Sequence, residues 1–255
     1  MKMTKAIILA AGYATRLYPL TENQPKPLLK IADKPLIEYI IEKIYEIEAI
    51  DEIIIVSNDK FYNHFLEWNS SFNSKIPIKI LDDGSTTNEN RLGAIKDIQF
   101  ALKQENISED TLIIAGDNLF EFNLKDLYNL YKEKNASITA AFDVKDKNIV
   151  KNRHGVVILD NSNKVIDFQE KPEEPKSTIK SIACYILTKE AIKLLEQYIK
   201  EGNNSDAPGF FLEWLCKKTK LYACLISKPV YGIGSMKSYL NTNKIFSDKL
   251  EDNKQ

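Results

Sequence analysis

The sequence predicts an α/β fold with a mainly parallel sheet, and three observations carry that prediction. Short runs rich in Ile, Val and Leu, of the length of strands buried on both faces, recur through the first half of the 255-residue chain. Stretches with apolar residues at helical spacing separate them, as βαβ units require. After about residue 136 consecutive strand-like runs follow, broken by turn signals, which predicts a small antiparallel or mixed extension of the sheet.

Taken in order, residues 5–11 (KAIILAA) read as the first buried strand. Pro35 then stands at the first position of a helix over residues 36–50, with apolar side chains at 36, 37, 40, 41, 44 and 47. Residues 53–57 (IIIVS) form the second strand, 61–69 a helix and 76–81 (IPIKIL) the third strand. The polar loop DDGSTTNEN leads to a helix over 91–103, whose Leu92, Ile95, Ile98 and Leu102 suit one face. Residues 111–117 (TLIIAGD) make the fourth strand and 124–134 another helix. The runs 137–144, 155–160, 164–171 and 181–187 supply the extension. Helices follow at 189–200 and 209–218, a strand at 221–227, and a last helix near 236–248, with residues 249–255 expected to fray. No repeat, low-complexity linker or clean boundary interrupts the chain, which predicts one domain over residues 1–255.

Composition removes several function classes. Lys and Arg number 35 against 36 Asp and Glu, so wholesale binding to nucleic acid or to an anionic membrane is not expected. Phosphate recognition in such a chain rests on a few placed cations. Apolar runs such as 6–11 fall far short of the roughly 20 residues of a membrane span. That run is also too short for a signal peptide core and leads into Gly12, Thr15 and Arg16 without a small-residue cleavage site. Cys184, Cys216 and Cys224 are an odd count with no CxxC spacing, which indicates neither a disulfide framework nor a zinc site. Their apolar contexts predict buried thiols in a soluble, reducing, cytoplasmic protein.

Three places stand out chemically. The loop after the first strand carries Gly12, Arg16 and Lys26 without a Walker A or a G-x-G-x-x-G pattern. Ligands of open α/β sheets bind beyond the carboxyl ends of the strands, where Arg and Lys suit phosphates. An ordinary strand-to-helix loop with surface cations explains the same spacing equally well. Asp117 follows a glycine at the end of the fourth strand, a position that presents one carboxylate to Mg²⁺ or simply closes an Asx-turn. Glu170-Lys171-Pro172, with His154-Gly155 before the preceding strand, reads either as the far wall of one cleft or as a solvated turn. His64 and His154 share no ligand spacing, so a histidine-based metal site or dyad is not expected.

Five blocks in order resemble the sugar-1-phosphate nucleotidyltransferase family. LAAGYATRLYPLTENQPKPLLKIADKPLIEYII is similar to its G-x-G-T-R-L-x-P-x-T, P-K-x-L-L and K-P-[LM]-I segments. GDNLF resembles the aspartate-bearing strand end of the glucose-1-phosphate thymidylyltransferase branch. HGVVILDNSNKVIDFQEKP resembles the G-V-v…EKP block, and YGIGSMKSYL the closing W-x-D-I-G-[ST]-x-x-x-Y-L. The resemblance implies a Rossmann-like three-layer nucleotidyltransferase fold, with a nucleotide-binding half to about residue 135 and an acceptor-binding half over about 136–250. It implies transfer of NMP from a nucleoside triphosphate to a sugar 1-phosphate with release of pyrophosphate, dTTP or UTP being favoured and CTP next.

The resemblance also implies roles by position. Gly12 and its neighbours Ala11, Tyr13, Ala14 and Thr15 would hold the nucleotide, with the base against residues 83–93, between Asp83 and Gly93. Arg16 would neutralise the departing pyrophosphate, Lys26 would contact the α-phosphate, and Asp117 would bind Mg²⁺. Asn118, Gly155, Glu170 and Lys171 would hold the sugar 1-phosphate, with Lys171 on its phosphate. A homo-oligomer is common in such families. Without hexapeptide repeats, no left-handed β-helix is expected.

Three departures from the family pattern stand out. Residues 83–94 keep only the final Gly-Ala of the usual base-binding segment. Ala14 replaces the second glycine of the opening motif, which is tolerable only at negative φ. Gly232 replaces the aspartate that normally supplies a second metal carboxylate. The alternatives are a phosphocholine-type cytidylyltransferase, which shares the opening motif, and a non-catalytic nucleotide-binding protein.

Overall fold

The computed structural model describes residues 3–252. Strand β1 (Lys5–Leu9) leads into a loop with two short 3₁₀ turns, at Thr15–Leu17 and Lys26–Leu28. A ribbon of β2 (Lys30–Ile31) and β3 (Lys34–Pro35) then precedes α1 (Leu36–Ile44), β4 (Glu52–Ser57), α2 (Asp59–Ser71), β5 (Ile78–Asp82) and α3 (Ala94–Gln104). β6 (Thr111–Ala115), β7 (Asn118–Phe120) and α4 (Leu124–Lys134) follow, then β8 (Ser137–Asp143), α5 (Lys147–Val150), β9 (Val156–Leu159), β10 (Val165–Gln169) and β11 (Ile179–Leu187). α6 (Lys189–Lys200), α7 (Pro208–Leu215), β12 (Leu221–Leu225), β13 (Val230–Gly232) and α8 (Met236–Asp252) complete the order.

The sheet runs β10-β9-β11-β6-β1-β4-β5, with β8 paired to β11 and β12 to β8. β5, β4, β1 and β6 are parallel neighbours. β11 joins β6 antiparallel and carries β9 and β10 as an antiparallel edge, the extension expected from the sequence. Alternate strand residues feed two cores. Ile8, Ile53, Ile55, Leu112 and Ile114 face α1, α2 and α4, whereas Ile7, Ile54, Val56 and Ile113 face α3, α6 and α7. The result is three layers, and each fully buried Ile or Leu contributes about 1.5–3 kcal/mol.

Differences from expectation have local causes. The helix expected to 50 ends at Ile44, after which two tight turns still bury Ile47 and Ile50. The apolar period therefore persists beyond the helix. Pro35 is the residue before α1 and pairs with Lys30, rather than being the first helical residue. The expected fraying does not extend over 249–252, which are helical, and 253–255 lie outside the described residues. Cys184 and Cys224 are buried, but Cys216 is only partly so, because it lies between the end of α7 and the exposed Lys217 and Lys218. No helix among the described residues is long and apolar enough to cross a membrane.

A third, smaller core bears directly on the site. Leu17, Leu29, Ile31, Leu36, Leu119 and Ile233 pack together beneath Tyr39, Tyr239 and Phe246. The Ala32 amide donates to Asn243 Oδ1 at 2.7 Å, and the Tyr239 hydroxyl donates to the Lys30 carbonyl at 3.0 Å. Helix α8 thus clamps the long loop that carries Lys26.

Candidate active site

Two adjoining hollows open at the carboxyl ends of the parallel strands and share Ala183 and Pro208 as a common wall. The first, of about 230 Å³, is walled by the small residues Ala10, Ala11, Gly12, Ala14, Gly93, Ala94 and Gly116. Lys26 and Asp117 line it as well, and so do Arg91 and Asp97. Its loop is held from behind. Asn58, buried at the end of β4, donates Nδ2 to the Ala11 carbonyl at 2.9 Å, and the Tyr13 hydroxyl donates to the Ser85 carbonyl at 2.8 Å. A larger hollow, of about 650 Å³, lies around Asp110 and residues 217–220 at the opposite strand ends, where open α/β sheets do not place their reactive ligands.

Lys26 and Asp117 meet where several segments converge. Lys26 Nζ donates to Asp117 Oδ2 at 2.8 Å and to the Ile233 carbonyl at 2.9 Å. Asn118 Nδ2 donates to Asp117 Oδ1 at 3.1 Å. The short β7–β13 pairing, Asn118 opposite Gly232, brings residues 117–118 and 232–233 together across more than a hundred positions of sequence.

The second hollow, of about 310 Å³, is lined by Asn118, His154, Gly155, Glu170, Lys180 and Gly209 among others. The Glu170 carboxylate sits in a slot between two glycines. A Cβ on Gly209 would lie 1.7 Å from Glu170 Oε2, and one on Gly155 would lie 2.8 Å from it. Burial raises the Glu170 carboxyl, and the nearby Lys171 opposes that shift. Burial first, then the charges of Lys180 and Arg153, push His154 down to about 4, so its imidazole is neutral at pH 7. Lys180 is itself lowered by burial.

The residues expected from the sequence divide into groups. Ala11, Gly12, Ala14, Lys26, Gly93 and Asp117 share the first hollow, while Asn118, Gly155 and Glu170 share the second. Thr15 and Arg16 are exposed and lie outside its walls. Tyr13 is buried with its hydroxyl committed to Ser85 and is not part of the hollow's lining. Asp83 sits behind the wall, its Oδ1 accepting from the Ser85 amide at 2.7 Å and the Ser85 hydroxyl at 2.6 Å. Lys171 stands beside Glu170, Nζ 3.8 Å from Oε1, at a left-handed φ of 48°.

Ala14 departs from the expectation of negative φ. Its φ is 49°, so the alanine occupies the left-handed region that glycine fills at low cost. Its carbonyl accepts from the Leu17 amide and the Thr21 hydroxyl, both at 2.9 Å, and these bonds hold the conformation.

Sequence reasoning did not single out Asp97, Arg91, Lys180 or Asp206. For Asp97 a signal existed: it is an acid on the buried face of α3, four residues before Ala101 and one before Ile98.

A metal at Asp117 has limited protein support. Among the described residues no three His, Cys, Asp or Glu side chains converge as a ready-made ligand set. A Cβ on Gly232 would approach Asn118 Oδ1 at 3.3 Å, so position 232 does face this corner, without a carboxylate. The donors fit Mg²⁺ as a site completed by substrate phosphate oxygens and water, a usual mode for that ion.

Residues 5–249 match the family model described as nucleotidyl transferase. The chain is 31% identical over 247 residues to the bifunctional protein GlmU of Methanocaldococcus jannaschii, covering 96% of this chain and 55% of that protein. It is also 31% identical over 247 residues to a UTP–glucose-1-phosphate uridylyltransferase of Synechocystis sp., covering 92% of this chain and 61% of that one. The chain therefore spans little more than half the length of these relatives. A UDP-glucose pyrophosphorylase solved with UDP-glucose superposes with a TM-score of 0.83 at 24% identity, covering 97% of this chain and 99% of that chain, and at that identity the likeness speaks for the fold. The chain belongs to the sugar-1-phosphate nucleotidyltransferase family.

Proposed function

We propose that this chain transfers a nucleoside monophosphate from a nucleoside triphosphate to a hexose 1-phosphate, giving an NDP-sugar and pyrophosphate. The observation that carries the reading is the Lys26–Asp117 pair in the wall of the first hollow, tied by a hydrogen bond from Asn118 to the lining of the second. Members of the family act on a nucleoside triphosphate and a sugar 1-phosphate.

In this reading an oxygen of the sugar phosphate attacks the α-phosphorus, the bond from that phosphorus to the bridging oxygen breaks, and pyrophosphate leaves with the electron pair. The acceptor is already an anion at pH 7, so no general base is needed. The barrier is alignment of two polyanions against their repulsion. In this reading Lys26 holds the α-phosphate, its ammonium aimed by the Ile233 carbonyl and by Asp117. Ala11, Gly12 and Ala14 line the donor side, and Glu170 and Asn118 would accept from and orient sugar hydroxyls. Mg²⁺ held by Asp117 would add charge neutralisation of the phosphates. Arg16 would meet the pyrophosphate only if its loop folds over the donor.

The second hollow also bears on the phosphocholine alternative. Arg153 and Lys180 line it and oppose a quaternary ammonium, whereas Glu170, Phe168 and Tyr185 in the same lining are the acidic and aromatic kinds of group that cage such cations, so phosphocholine is included in the test. The test is pyrophosphate release with Mg²⁺ from each common nucleoside triphosphate, across hexose 1-phosphates and phosphocholine. Release with a hexose 1-phosphate and none with phosphocholine supports the reading. Release with phosphocholine alone contradicts it.

A further inference from the structure

One feature of the first hollow has no role in the transfer chemistry. Asp97, on the first turn of α3, is only 6% exposed, yet it forms part of the wall beside Ala11, Gly12, Gly93 and Ala94. Its Oδ1 is buried without a hydrogen-bond partner, and so is Oδ2 of Asp83 immediately behind it. The other Asp83 oxygen is occupied by Ser85. The two cations of the same hollow are engaged elsewhere, Arg91 with Asp206 at 2.9 Å and Lys26 with Asp117 at 2.8 Å.

Two carboxyls left without cations in one buried corner share a proton, which satisfies the facing oxygens and leaves one negative charge on the pair. Burial first, then the Asp83 charge, push Asp97 up to about 8. Burial likewise raises Asp83. Such a pair destabilises the fold relative to an apolar residue, so its place on a ligand wall calls for a ligand that uses it.

We propose that the Asp83–Asp97 pair is the base-reading wall of the donor pocket and selects a nucleobase carrying an exocyclic amino group over the keto pyrimidines uracil and thymine. The inference rests on the reading of this hollow as the nucleoside triphosphate site. With Lys26 and Asp117 taken as the phosphate end, the base is left the remainder of the lining, to which Gly93, Ala94 and Asp97 belong. An anionic acceptor there complements an amino N–H. Uracil and thymine present two carbonyl oxygens flanking a single N–H, and those oxygens meet the pair as repulsive lone pairs. The expectation of dTTP or UTP drawn from the family resemblance is turned around by two residues that the usual base-binding segment does not contain.

The test is equilibrium binding of ATP, GTP, CTP, UTP and dTTP with Mg²⁺ and no acceptor, on the full chain and on Asp97→Asn. The expected result is one amino-bearing triphosphate bound about 10-fold or more tighter than UTP and dTTP, with that ratio collapsing in Asp97→Asn. Asp83→Asn provides the same readout should Asp97→Asn fail to fold. UTP or dTTP binding as tightly as the best of the others overturns the proposal, and so does selectivity that survives both substitutions. Binding of none of the five overturns it together with the donor-site reading, whereas binding without base selectivity leaves that reading standing.

Discussion

The two hollows of the cleft are built by opposite means. The first hollow, the donor side of the proposal, is shaped largely by backbone: the carboxyl ends of β1 and β6, a tight loop, and several residues with little or no side chain. The acceptor side is shaped by side chains projecting from the antiparallel extension, with Glu170, His154, Lys180 and Phe168 converging from different strands and loops. A wall of backbone and small residues tolerates few substitutions, so under the proposal above selectivity there falls to the charged side chains set into it, Asp97 first. A wall of side chains can be retuned residue by residue. The contrast teaches where to look for substrate choice in each half.

Among substitutions that separate the two hollows, the largest effect expected is in the second. Gly209→Ala would place a methyl 1.7 Å from Glu170 Oε2 and drive the carboxylate from its slot. Losing a charged hydrogen bond of that kind raises the acceptor KM about 10-fold or more. Triphosphate affinity, read by calorimetry, should not move, and a parallel loss would break the division between the two sides.

On the donor side the expected effect is on the fold itself. Gly93 has φ +89°, and a Cβ there would meet the Ser205 carbonyl oxygen at 2.6 Å. Gly93→Ala should lower stability by about 1–3 kcal/mol, seen as a lower Tm, because neither the φ nor the backbone neighbour can yield cheaply. An unchanged Tm would show that the loop adapts.

The buried pair predicts a pH dependence of stability. Asp97 holds its proton to about 8 when folded, whereas an unfolded aspartate releases it near its ordinary value of 3.8. Between those values the folded state binds more protons than the unfolded, so stability falls as pH rises through that window and levels off above it. Asp97→Asn removes this slope. Its Tm advantage over the wild type should grow from pH 5 to pH 8, and a constant difference across that range would show that the carboxyl is ionised throughout.

The smallest effect sharpens the account of the opening loop. Ala14→Gly relieves the left-handed strain at φ 49° and should raise stability by about 0.5–1 kcal/mol in denaturant titrations. A loss instead would mean that glycine frees the loop in the unfolded chain by more than the strain it removes.

Much of the fold was legible because it follows local periodicity. The four parallel strands and α4 at 124–134 lie where apolar spacing places them. What pairs at long range was not legible. β7 and β13 are three residues each and more than a hundred positions apart, too short to show a period of their own. The clamp of α8 on the Lys26 loop likewise depends on single contacts such as Asn243 with Ala32. At the site, Gly12, Lys26 and Asp117 were readable as motif, since Gly12 and Asp117 follow strand ends and Lys26 lies between prolines in the loop after β1. Lys180 was not, because its strand gives no sign of which side chain meets a cavity.

The measurement that tests the central reading most directly is pyrophosphate release with the preferred triphosphate, with and without a hexose 1-phosphate, on the wild type and on Asp117→Ala. The account predicts release that requires both substrates and falls by about 100-fold or more when Asp117 is lost, while triphosphate binding persists. Release that is indifferent to the acceptor, or that survives in Asp117→Ala at near wild-type rate, would contradict it.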